Sequence, residues 1–237
     1  MNISARWITL TIVLCLICSF ESQNVQAQDS YNASFESTFL LSQELPTIQS
    51  DSLPVSIVKR PRLLPENLGF FERNLWSENG LFRSTGIAAP LTPESRKSEL
   101  KLRRTMLVAH ETSGFVTLGL MLTTVYYGQK VLDTYPAALS LRRTHVGFAD
   151  ATIATYSLTA LLSLLSPPPV IRRDEMSTLS FHRALAWVHV TGIIITPIIA
   201  SLAKKRGASD LSIYRIHQVS AYITTTAFAA SMVVITF

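Results

Sequence analysis

The chain has 237 residues, 48% of them hydrophobic and 16% charged, against about 25% charged in an ordinary soluble domain. Its net charge of +5 comes with no basic stripe interleaved with aromatics. Nucleic acid is therefore set aside, and Lys and Arg at the ends of apolar helices account for the charge. The two cysteines, Cys15 and Cys18, both lie in the first apolar stretch, and removing that stretch leaves no thiol. A mature chain then has no disulfide, no Cys-ligated zinc, no iron–sulfur cluster and no covalent c-type haem.

In chain order, Arg6 precedes an apolar run from Trp7 to Phe20 of 14 residues, short of the roughly 20 that span a bilayer. Polar residues follow, with small residues at Val25 and Ala27. This is the pattern of a secretion signal over 1–27, cleaved after Ala27; the competing reading is an uncleaved anchor. Residues 28–62 are rich in Ser, Gln, Asp and Glu without apolar periodicity and read as a flexible tether.

From Leu63 the pattern changes. Leu68, Phe70, Phe71, Leu75, Trp76, Leu81 and Phe82 recur among Glu66, Glu72, Arg73 and Glu78. The segment 63–103 reads as amphipathic, lying at a membrane interface or over the mouth of a bundle. A small helix packed on a loop is the alternative. Thr92-Pro93-Glu94 is a helix start: a capping hydroxyl, Pro at the first position, then an acid near the positive helix end.

Four spans follow within 104–237. They run from about Met106 to Tyr127, His145 to Leu165, Ala184 to Ala203 and Ile216 to Phe237, the second stopped by Pro167-Pro168-Pro169. Short loops make neighbours antiparallel, and abundant Gly, Ala, Ser and Thr let membrane helices approach closely. The expected fold is all-α: a membrane-spanning up-down-up-down four-helix bundle behind a mostly irregular extramembrane N-terminal segment.

Each span carries a histidine near its N-terminal end: His110, His145, His189 and His217. In an up-down-up-down bundle His110 and His189 share one face, and His145 and His217 the other. Arg104 and Arg183 each precede their histidine by six positions; Arg143 and Arg215 precede theirs by two. Gly114 and Gly192 follow within about a turn and are expected to leave room for a flat ring. Ionisable groups inside a membrane are costly and tend to be functional.

Iron porphyrin needs two axial nitrogens from opposite sides, an apolar surround and cations for its propionates. Two non-covalent b-type haems, ligated by His110 with His189 and His145 with His217, are the most economical reading. A proton, quinone or metal role for the same histidines stays open, as does a non-redox membrane subunit that anchors or assembles a larger complex. His182, two turns before His189, reads as solvated or near a propionate. Glu111 and Asp150 read as carboxylates that bond a nearby Thr hydroxyl. Trp187, Tyr126, Tyr127 and Tyr222 read as packing or interface anchors.

On these histidines, the region from about Lys101 to Phe237 resembles the four-helix core of the cytochrome b561 superfamily, which places one histidine on each of four consecutive core helices. The resemblance implies transmembrane electron transfer, and a membrane oxidoreductase if the protein is enzymatic. Common members of that family have six spans, and residues 28–100 are too short and irregular for a fused electron-donor domain. Donor and acceptor stay unknown, and a homodimer or larger complex stays open. With the signal removed, residues 28–103 face outward from a bacterial inner (plasma) membrane. Lys130, Arg142, Lys204 and Lys205 then fall in cytoplasmic loops.

Overall fold

The computed structural model describes residues 62–134, 137–170, 178–206 and 211–236. The signal of 1–27 and all of the tether but Arg62 lie outside the described residues. Six helices occur among those described: α1 (Phe70–Trp76), α2 (Leu81–Ser84), α3 (Pro93–Asp133), α4 (Leu139–Leu164), α5 (Thr178–Arg206) and α6 (Leu211–Thr236). No strand is present among the described residues, so the all-α expectation holds there.

Helix α3 starts where the sequence places it. Thr92 caps it, accepting from the Ser95 backbone N–H, with Pro93 in the first turn and Glu94 against the positive end. It then runs unbroken for 41 residues, joining the expected extramembrane start to the first span. Helix α5 continues through Pro197.

Three helices are long and apolar enough to cross a membrane: Pro93–Asp133, Thr178–Lys205 and Ser212–Thr236, with mean hydropathies of 1.2, 1.9 and 1.5. Their outward faces carry large apolar side chains, among them Val116, Leu122, Trp187, Ile194 and Ile223. Inside, hydroxyls are buried: Thr117, Thr152, Thr159, Thr224 and Ser231. Each of these satisfies itself on a carbonyl three or four residues back in its own helix. Apolar outside and hydroxyl-lined inside is the arrangement favoured where the solvent is hydrocarbon.

The four long helices form two antiparallel hairpins, α3 with α4 and α5 with α6. Tertiary bonds show the direction: His110 on α3 meets Thr159 on α4, while Thr124, further along α3, meets His145 near the start of α4. Helix α3 also packs on α6, where Gly114 lies against Met232 and Gln129 accepts hydrogen bonds from Tyr222 (2.6 Å) and Gln218. Met121, Tyr156, Phe228 and Met232 make the shared apolar core.

The segment 62–92 folds onto the far end of the first hairpin. The Trp76 indole donates to the Leu165 carbonyl at 3.0 Å. Buried Arg96 bonds the carbonyls of Leu63, Pro168 and Pro169. Glu99 joins it, 2.9 Å from Arg96 and 2.7 Å from Arg83. These contacts seat the segment on the triple-proline loop. Arg103 donates to the Pro167 carbonyl at 2.5 Å.

Candidate functional site

Four histidines face the interior in two pairs. The His145 and His217 rings lie with centroids 6.3 Å apart and planes at 86°. The His110 and His182 rings repeat that arrangement at 6.3 Å and 83°.

Each of the four is held the same way. Nδ1 bonds a backbone carbonyl across the hairpin: His110 to Thr159 at 2.8 Å, His182 to Ser231 at 3.0 Å, His145 to Thr124 at 3.0 Å and His217 to Thr196 at 2.9 Å. A carbonyl only accepts, so Nδ1 carries the proton and donates. The unprotonated nitrogen is then Nε2, the form in which a histidine binds a metal.

The sequence separations of these bonds repeat. They are 49 for both bonds at one level and 21 for both at the other. Each residue of the second hairpin therefore stands 72 positions after its counterpart in the first. The two hairpins are tandem copies of one unit, and each pair consists of the same residue from both copies. This corrects the pairing expected from sequence. His110 meets His182, its counterpart, and not His189, whose counterpart is Thr117. His182 is half-buried and held, not solvated. Seven residues separate His182 from His189, two helical turns on one face, so either could point inward. Helix periodicity alone does not select between them.

The repeat is legible in the chain. Leu139-Ser140-Leu141, Arg143, His145, Ala149 and Thr152 match Leu211-Ser212-Ile213, Arg215, His217, Ala221 and Thr224 in order and spacing. A search for internal periodicity finds it and, with it, His182.

His189 has other partners. Its Nδ1 lies 2.8 Å from the Tyr156 hydroxyl and its Nε2 3.4 Å from the Ser231 hydroxyl. The ring packs edge-on against Phe228 at 5.0 Å.

Gly114 and Gly192 do not open space for a ring. A Cβ on Gly114 would sit 3.1 Å from the Met232 sulfur, and one on Gly192 would collide with the Thr224 side chain. Both serve close helix approach. The glycine that makes room for an imidazole is Gly128, where a Cβ would lie 2.9 Å from His145 Cε1. Of the four arginines expected to flank the histidines, Arg143, Arg183 and Arg215 are exposed and Arg104 is half-buried. Glu111 is half-buried, and Asp150 is exposed at the rim of the His145 cavity.

That cavity, about 390 Å³, opens between the hairpins beside His145 and His217. Met121, Val125, Ile193 and Ala221 contribute apolar wall. No protein-family model, curated protein or solved structure matches this chain.

Among the described residues no group of three or more His, Cys, Asp and Glu side chains is arranged to hold a metal ion. What the site offers is two imidazoles at each level. An imidazole nitrogen about 2 Å from a metal puts its ring centre about 3.2 Å out, so two ligands on opposite sides stand about 6.4 Å apart. The observed 6.3 Å at both levels fits that spacing.

Proposed function

We propose that this protein carries electrons across a membrane through two non-covalent b-type haems, one held by His110 and His182 and the other by His145 and His217. The observation that carries the reading is the twice-repeated imidazole pair at 6.3 Å, with every Nδ1 tied to a carbonyl. With their Nδ1 atoms anchored on carbonyls, His110 with His182 and His145 with His217 would hold haem iron through Nε2, and the haems would supply one-electron redox chemistry.

The levels are separated usefully. Thr124 stands 14 positions after His110 on α3, a rise of about 21 Å, so the two sites approach opposite faces of a hydrocarbon core about 30 Å thick. In this reading α4 is the fourth span. Its 26 residues extend about 39 Å, and Arg142, Arg143 and Asp150 lower its hydropathy at one end. Exposed Arg143 and Arg215, equivalent positions of the repeat, stand where haem propionates would reach the interface. In this reading the protein would work as a cytochrome b561-like core, multi-pass in the bacterial inner membrane with residues 28–103 outside.

The protein purified in detergent is expected to be coloured, to hold two haems per chain, and to change absorbance on reduction with dithionite. A colourless protein from haem-supplied cells, or one retaining zinc or copper in place of haem, refutes the reading.

A further inference from the structure

The two hairpins match at the four histidines and their carbonyls but differ at the bundle centre. Thr117, bonded to Thr159 at 3.3 Å, has His189, bonded to Ser231 at 3.4 Å, as its counterpart. Tyr156 in the first copy answers to Phe228 in the second. Both departures fall on one hydrogen bond, Tyr156 to His189 at 2.8 Å. Both residues are buried.

We propose that His189, partnered by Tyr156, takes up a proton as the His110/His182 site gains an electron, so that reduction there is tied to pH. This rests on the haem reading above.

The hydrogen bonds around His189 accommodate either protonation state. The Ser231 hydroxyl donates to the Phe228 carbonyl at 2.8 Å, so towards His189 its oxygen accepts, from Nε2–H. Nδ1 is then the bare nitrogen and accepts from the Tyr156 hydroxyl. When a proton arrives at Nδ1, the hydroxyl turns and accepts, since a phenol does both. Nothing else need move, and both ring nitrogens stay bonded.

Position supplies the coupling. His189 is two turns, about 10.5 Å, from His182 along α5. Ser231 links them: its carbonyl accepts a hydrogen bond from His182 Nδ1–H and its hydroxyl faces His189. The neighbours that face His189 are Tyr156 from α4 and Ser231 and Phe228 from α6. The other titratable groups acting on it are His182 of its own helix and His110 of α3. An electron added to the ligated site removes one positive charge from a low-dielectric interior, where a unit charge is felt strongly at this range. One electron from a small-molecule reductant such as dithionite and one proton from water then enter together, and the net charge of the interior is kept.

The test is a redox titration of the purified haem-loaded protein across pH 5 to 9, with haem content measured in parallel. One of two midpoints is expected to fall as pH rises. The double substitution His189→Thr with Tyr156→Phe installs the residues that the opposite hairpin already carries at these places. It is expected to keep two haems and an unchanged spectrum while that midpoint becomes independent of pH. His189→Gln, which bonds both neighbours without titrating, is expected to give the same flat profile and serves if the double variant does not assemble. A loaded native protein whose midpoints are both flat, or variants that retain the pH dependence, overturn the inference and leave the haem reading standing. A native protein without haem overturns both.

Discussion

On the proposed haem reading, replacing His182 by Leu is expected to halve the haem content, from two per chain to one. The ring of His110 lies with its centroid 6.3 Å from that of His182. Removing one imidazole would leave His110 alone at that level, while the His145/His217 pair, about 21 Å away along α3, is untouched. His189 cannot substitute, because it lies two turns deeper and its Nδ1 is engaged by Tyr156. The His189→Thr variant accordingly keeps both haems. The assay is extracted haem per mole of protein, with a reduced spectrum to show whether one of two components has gone. If His189→Thr loses a haem and His182→Leu keeps both, the pairing by repeat register is wrong and the first-inferred His110/His189 pair is restored.

Three further outcomes follow from local geometry. Gly128→Val places its side chain into His145, whose Cε1 is 2.9 Å from a Cβ there; it is expected to remove the haem at the His145/His217 level alone, read as a fall from two haems to one. Gly192→Ala meets Thr224 and forces α5 and α6 apart, an overpacking cost of about 1–3 kcal/mol that appears as a lower melting temperature in detergent. Glu99→Gln leaves Arg83 and Arg96, both almost fully buried, without their shared counter-charge. Breaking a buried pair costs about 3–5 kcal/mol, so the 62–92 segment is expected to become cleavable by protease while the haem spectrum is kept.

Much of the architecture was legible from residue order. Thr92-Pro93-Glu94 marks the start of α3 because capping and the helix dipole act locally. The triple proline ends α4 because a missing N–H and a locked φ act locally too. Apolar run lengths locate the long helices, since a backbone in hydrocarbon must bond within its own segment. Four histidines at alternating ends are visible for the same reason: depth along a helix is counted in residues.

What helix periodicity and run lengths left undecided was which imidazole meets which. His182 and His189 share a face of α5 and differ by two turns, so only the 72-residue repeat in the chain, or the vertical register of one hairpin on the other, chooses between them. Packing between the hairpins sets that register, through Gly114 of α3 against Met232 of α6 and Gln129 of α3 against Tyr222 of α6. The glycines likewise looked like space for a ring; only tertiary packing shows that space filled by a partner helix. Local signals determine where each helix begins, ends and carries its polar groups. Contacts between segments far apart in the chain determine which of those groups stand 6.3 Å apart, because that distance depends on how whole helices slide and turn against each other.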